Sequence, residues 1–355
     1  MVLSLVLLFI SCLFLSFYEE RLRQRDKMIF YVLIGVGMIF IAGLRAVGST
    51  PDTESYELMY YGKTPAILAK ATEPTFTAIA SILNSLSLGV NSLFFTYAII
   101  SIPIHLGAFW KISKMPLLTL TIYVSYYYMM HEMVQIRAGV AAGLFLWAIY
   151  YYVEKKKKWV ALSFVLLGTT FHYSAAVGLV IFFLRDKFPL WQKILLYAIV
   201  PVGMVVYFTH IDISRIIPDE VIGTKLALYR EMRDKGVEDE QAGWPLEINI
   251  LIWMNIILYY ASIFYSEYLM KHCKYVNIAI KLQAVGFIFL LYFNGVSKVL
   301  GNRMNDYFSI VTIILWTASV YAFSPRLVSK LISNTISILR FVTSAAAYAL
   351  SLLFV

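Results

Sequence analysis

Apolar runs that carry no charge constrain this chain more than any other feature. They are roughly 16 to 20 residues long, enough for a helix to cross the ~30 Å hydrocarbon core of a bilayer. In lipid every backbone N–H and C=O must be satisfied internally, which leaves helices or a closed barrel. The runs are continuously apolar and do not alternate, so they read as helices. The reading is an all-α polytopic membrane protein with about 10 to 12 transmembrane helices. Composition agrees: 60% of the 355 residues are hydrophobic and 14% are charged, where a soluble domain has about a quarter charged. The whole of 1–355 reads as one integral-membrane domain.

The net charge of +9 does not point to nucleic acid. Lys and Arg collect in cytoplasmic loops of membrane proteins and raise the net charge by themselves. Cys12 and Cys273 form no CxxC pair, so neither a disulfide nor a metal site is expected. The N-terminal MVLSLVLLFISCLFLSF has no basic n-region and no small-residue cleavage site, so it reads as a first span. Further spans are expected near 28–44, 92–110, 116–130, 138–153, 194–209, 248–266, 282–297, 307–323 and 331–355.

The positive-inside rule puts five basic connections in the cytoplasm: Arg21 to Lys27, Lys111 with Lys114, Lys155 to Lys158, Lys271 to Lys281, and Arg326 with Lys330. That alternation holds only if two apolar segments do not cross. One is 74–90, weakly apolar and holding Asn84, Ser85 and Ser87. It reads as an amphipathic helix within an outer loop over 45–91. The other is 160–184, with Gly168, Thr169, Thr170, His172, Tyr173 and Ser174 at its middle and basic residues at both ends. It reads as a re-entrant pair of half-helices, because broken backbone at membrane depth is tolerated where it lines a cavity or is buried in protein. The charged stretch 210–247 is then a long loop on the outer side. Arg340, inside the last apolar stretch, is expected to snorkel to the cytoplasmic face or to precede the final span.

This threading delivers titratable groups from five segments to one face: Arg45 and Asp52, then Glu73, then His131, Glu132 and Arg137, then His172, then Arg303 and Asp306. Charged groups at a membrane are costly and commonly mark a substrate path. Arg45, Arg137, Arg303 and His172 suit a diphosphate, because guanidinium binds phosphate oxygens bidentately. Asp52, Glu73 and His172 are candidates for catalysis or acceptor contact. His131, Glu132, Asp306, Tyr307 and Tyr56 are secondary candidates. There is no Walker loop, HExxH or DxD pair, so no cofactor and no metal is expected. A bland reading stands beside each residue: an Arg near a span end is often an interface anchor, and a His in a polar break is often only packed.

Five short stretches resemble the EpsG/Wzy-like family of O-antigen and exopolysaccharide polymerases. GLRAVGSTPDTESYELMYYG resembles its first outer loop, of the form R-x-x-G-x-x-x-D-x-x-x-Y, with Arg45, Gly48, Asp52 and Tyr56 in place. EPTFTAIASIL resembles its Glu-led amphipathic helix, starting at Glu73. QIRAGVAAGLFLWAI resembles its I-R-x-x-x-A segment through Arg137 and Ala141, although Ala138 stands where many members carry Gln. GTTFHYSA resembles its F-H-x-S segment through Phe171, His172 and Ser174, and NRMNDYF its R-x-x-x-Y segment through Arg303 and Tyr307.

The resemblance implies a glycosyltransferase of the bacterial inner membrane, similar to the multi-spanning GT-C-like enzymes, with its site facing the periplasm. It implies a growing glycan on undecaprenyl diphosphate as donor, a lipid-linked repeat unit as acceptor, membrane lipid around both, and a chain-length regulator as a protein partner. Arg137, His172 and Arg303, with Arg45, would hold the diphosphate, and Asp52 or Glu73 would act as base or touch the acceptor sugar. Two other readings fit the same chemistry: an O-antigen ligase, and a lipid-oligosaccharide flippase without catalysis. A flippase should show charge through the membrane midplane and repeat symmetry between halves, and no repeat is visible.

Overall fold

Most of the apolar runs are helical in the computed structural model, which describes residues 1–50, 52–63, 72–185, 187–209, 211, 249–293, 298–322 and 326–353. No strand occurs among the described residues. The long loop expected over 210–247 lies outside them, apart from Ile211. Two compact units result, one of Met1–Phe183 with Trp316–Val355, the other of Leu184–Leu315.

The first unit opens with α1 (Val2–Tyr18) and α2 (Gln24–Gly43). The outer loop holds two short helices, α3 (Thr53–Tyr60) and α4 (Pro74–Ser85). Then come α5 (Val90–Ile112), α6 (Pro116–Ile122) and α7 (Ile136–Val153). Between α6 and α7 the chain winds in wide π-turns over Tyr123–Tyr127 and Met129–Val134. Next is α8 (Lys158–Phe171), followed by a 3-10 segment (Tyr173–Phe183).

Small residues let these helices close on one another, as lipid-embedded packing requires. A Cβ on Gly43 would meet the Phe95 backbone at 2.9 Å, bringing α2 against α5. A Cβ on Gly139 would meet the His131 carbonyl oxygen at 2.2 Å, bringing α7 against the π-turns. Glu19, just past α1, fastens the start of α6: its two carboxylate oxygens accept from the Leu117 and Leu118 N–H groups, each at 3.0 Å. Those are orphan donors of a helix N-terminus, where negative charge is favoured.

The second unit holds α9 (Leu190–Phe208), α10 (Ile250–Phe264), α11 (Ser266–His272), α12 (Val276–Tyr292) and α13 (Lys298–Ser309). α14 (Thr312–Ser319) follows, and α15 (Arg326–Leu353) returns to the first unit. Lys281, expected in a cytoplasmic connection, is instead buried on α12, which starts earlier than the sequence suggested. Its Nζ donates to the carbonyls of Arg185 at 2.6 Å and Lys187 at 2.7 Å.

By length and composition α2, α5, α7 and α9 can each cross a membrane, and α10 with α11, bent by 86°, makes a fifth candidate. The other apolar helices are shorter or interrupted, except α15, which runs for 28 residues. The 14 residues of α8 reach about 21 Å at 1.5 Å each, and the 11 of the 3-10 segment about 22 Å at 2.0 Å each. Neither spans ~30 Å alone. The expected span over 307–323 is likewise divided between α13 and α14.

α15 shows how the bundle meets lipid. Lys330, Ser333, Asn334, Ser337, Arg340 and Ser344 are buried, whereas Leu331, Ile332, Ile338, Leu339 and Val342 are exposed. Polar side chains point inward and apolar ones outward, the reverse of a helix on a water-soluble core. Arg340 therefore neither snorkels nor precedes the span. The helix runs through it, and its side chain is buried among protein groups.

Candidate active site

The helix α4 begins with Pro74, whose fixed φ suits a first helical position. Glu73 stands before it with extended backbone, and its carboxylate makes no capping bond to α4. The side chain turns into the unit instead and is fully buried. There it forms an ion pair and hydrogen bond with the Arg137 Nη1 at the start of α7. Its other oxygen lies 3.0 Å from the His172 Nδ1 and accepts from the Tyr173 N–H at 3.4 Å. Three of the five stretches singled out in the sequence thus meet at one carboxylate.

The break after α8 is what makes this possible. His172 is extended, with φ −151° and ψ 113°, so helix stops at Phe171 and its ring is free to face Glu73. The Thr75 hydroxyl donates to the Thr170 carbonyl at 2.6 Å and pins α4 to the end of α8. The Tyr173 N–H is also directed to Glu73.

Aromatic rings complete the floor. The Arg137 guanidinium lies 5.5 Å from the Tyr56 ring centroid and 5.6 Å from that of Phe76. Tyr56 and Phe76 are buried with Tyr97, Val140 and Leu144 in one apolar cluster. The Arg137 Nε has no hydrogen-bond partner among the described residues, and a sixth of its side chain (17%) is exposed. This arginine is held by Glu73 and by a side-chain hydrogen bond with Tyr56, while part of its side chain still reaches the surface.

Burial alone would raise the Glu73 pKa. The hydrogen bond from His172 and the charges of Arg137 and His172 together outweigh it and hold the carboxyl at about 2. An acid this strong has a weak conjugate base, so Glu73 is suited to orienting its partners and poorly suited to removing a proton.

The first-loop motif folds around this site. Gly48 has φ +78°, a left-handed backbone that a side chain would strain. Its N–H donates to the Thr53 hydroxyl at 3.0 Å. The Thr50 hydroxyl donates to the Met133 carbonyl at 2.9 Å and ties the loop to the π-turns. Asp52 is the N-cap residue of α3, one turn before Tyr56. Arg45 is buried: its Nη1 donates to the carbonyls of Ala42 and of Glu132, the latter at 3.4 Å, and its guanidinium lies 4.1 Å from the Phe94 ring centroid.

His131 and Glu132 were expected among the groups collected at the outer face. Both are buried in the π-turns. The Glu132 Oε1 accepts from the Tyr123 hydroxyl at 2.5 Å and the Ser101 hydroxyl at 2.9 Å, and the His105 Nδ1 is 3.1 Å away. His105 was missed by sequence reasoning, although a histidine inside the charge-free run 92–110 is the kind of residue that marks an intramembrane polar site. Arg303, Asp306 and Tyr307 belong to α13 in the second unit, with Tyr307 buried and the other two half-buried.

The described residues thus form an all-helical, multi-pass membrane protein that buries a carboxylate against an arginine and a histidine. The EpsG family model matches residues 28–355, nearly the whole length, and the chain belongs to the EpsG family. That family is associated with polysaccharide polymerase activity of a glycosyltransferase kind. No curated protein and no solved structure matches the chain.

Proposed function

We propose that this protein polymerises an O-antigen or exopolysaccharide at the outer face of the bacterial inner membrane, as one of the multi-spanning, GT-C-like glycosyltransferases. The donor is a growing glycan on undecaprenyl diphosphate, and the acceptor is a repeat unit on the same carrier. The observation that carries this reading is the buried Glu73 carboxylate binding Arg137 and His172 together.

The roles follow from that geometry. His172 keeps its Nδ1–H on Glu73 whether charged or neutral; the neutral form, with its lone pair on Nε2, is the one that accepts a proton. The acceptor hydroxyl loses its proton to that nitrogen while its oxygen attacks the donor's anomeric carbon. The bond from that carbon to the diphosphate oxygen breaks, and its electron pair leaves with undecaprenyl diphosphate. One displacement inverts the anomeric centre. Arg137, through the part of its side chain that reaches the surface, binds the diphosphate and stabilises the charge that develops on it. Glu73 is a positioning residue for both. Asp52, one turn from Tyr56, is the candidate for contact with the acceptor sugar.

The test is incubation of the purified protein with a synthetic undecaprenyl-diphosphate-linked repeat unit, with and without chelator, read as a ladder on a gel. A ladder is expected. Arg137→Ala should lose about 1.5–3 kcal/mol of transition-state stabilisation, roughly 10- to 150-fold in rate. Arg137→Lys should lose almost as much, because the planar fork is gone. A folded Arg137→Ala protein that extends chains at the wild-type rate would end this assignment. Transfer of finished polymer to lipid A core, with no chain growth, would make the protein a ligase.

A further inference from the structure

Deep in the first unit, a column of stacked rings holds cationic and imidazole groups that the proposed reaction does not use. The Arg340 guanidinium of α15 lies 5.1 Å from the Tyr127 ring centroid and 5.6 Å from that of Tyr126. The His131 ring is parallel to Tyr127, with centroids 5.9 Å apart and 10° between planes, and nearly parallel to His105 at 6.2 Å and 19°. Arg340 is 1% exposed, and both histidines are fully buried.

Satisfaction of these groups is the anomaly. The Arg340 Nε, Nη1 and Nη2, both ring nitrogens of His131, and the His105 Nε2 are buried without a hydrogen-bond partner among the described residues. Native proteins leave only a few such atoms per hundred residues, and one column holds six here. A buried cation without a counter-charge is the costliest case. The carboxylate at the far end of the column, Glu132, is occupied by Tyr123, Ser101 and His105, and its backbone carbonyl takes Arg45. Arg340 forms no ion pair among the described residues, so its charge is left over.

What completes such a place must accept hydrogen bonds, because a guanidinium has only donors to offer. Water would satisfy the donors and leave the charge. An anion does both. The same inward face of α15 carries a further buried donor without a partner, the Asn334 Nδ2, two turns toward Lys330. The exposed side of α15 is apolar and the guanidinium is enclosed by protein, so no lipid headgroup reaches it. We infer that Arg340, on the Tyr126–Tyr127 rings, forms a binding site for a small monovalent inorganic anion of the halide class, resident inside the bundle.

The full chain, purified in detergent, is titrated with sodium chloride against sodium gluconate at constant ionic strength, and unfolding is followed by Tm. The wild type should gain about 5 °C, saturably, once chloride reaches ~100 times its Kd. Arg340→Gln should lose the chloride-dependent part while keeping its Tm in gluconate, and Arg340→Lys should retain it at weaker affinity. In crystals soaked with bromide, an anomalous peak is expected beside Arg340. Equal Tm in both salts for the wild type, with no bromide peak, would overturn the site in favour of water alone, even if Arg340→Gln does not fold. A chloride effect that persists undiminished in Arg340→Lys would also overturn it, by placing the ion elsewhere.

Discussion

At the scale of single residues, Glu73 organises the candidate site through contacts no linear motif reveals. It was legible as the acid that opens a helix, and so as a candidate base. Its burial and its two partners turn it into an anchor, because a carboxyl held near pH 2 yields its lone pair reluctantly. The sign of the linkage follows. A folded pKa below the usual 4.5 contributes stability that is fully present above about 4.5 and is lost as the pH falls toward about 2. The contribution is at most about 3 kcal/mol at neutral pH. Acid unfolding of the detergent-solubilised protein, followed by Tm between those pH values, should therefore be shallower in Glu73→Gln than in the wild type. The same variant should shift the pH–rate profile of polymerisation, because His172 loses the carboxylate that sets its tautomer. A variant with lower rate and an unmoved profile would reduce Glu73 to a structural role.

At the scale of elements, the apolar periods located the helices, and the interruptions decided what they do. The span expected over 116–130 became π-turns after α6, the chain bends by 86° between α10 and α11 where the expected 248–266 span ends, and 160–184 stops at His172, within the polar middle where a break was expected. These breaks serve packing as well as chemistry. Gly139 is the clearest instance, since the π-turns bring the His131 carbonyl within 2.2 Å of where a Cβ would stand. Backbone on both sides cannot yield, so Gly139→Ala should cost about 1–3 kcal/mol or more, seen as lower Tm and yield in detergent. Gly37→Ala, where a Cβ meets nothing within 4 Å, is the control, and should be neutral or gain up to about 1 kcal/mol. If the two alanine variants melt alike, the close approach at Gly139 is not what shapes this region.

At the scale of the whole molecule, the question is which side of the membrane each connection faces. In the second unit Lys281 ties the Arg185 and Lys187 carbonyls to the first turns of α12. The basic residues that precede α12, Lys271 and Lys274, belong in the cytoplasm by the positive-inside rule. Arg185 to Lys187 then lie at that same level. A reporter fused after Lys187 should read cytoplasmic, and a periplasmic reading would require 160–184 to cross the membrane and would invert every later connection.

Much was settled by the amino-acid order alone. Charge-free length dictates membrane helices, since no other backbone form satisfies its hydrogen bonds in lipid through one segment. Five short stretches were enough to point to the family, and Glu73, Arg137 and His172 were all named among the candidates. What the order left open was who meets whom. Glu73 and His172 are 99 positions apart and touch only because a helix stops between Phe171 and Tyr173. His131 and Glu132 were expected at the outer face and Arg340 to snorkel or precede its span, because a one-dimensional string does not show which elements close over a side chain. Packing turned them inward, where a charge must be matched by a partner and the partner is set by the fold.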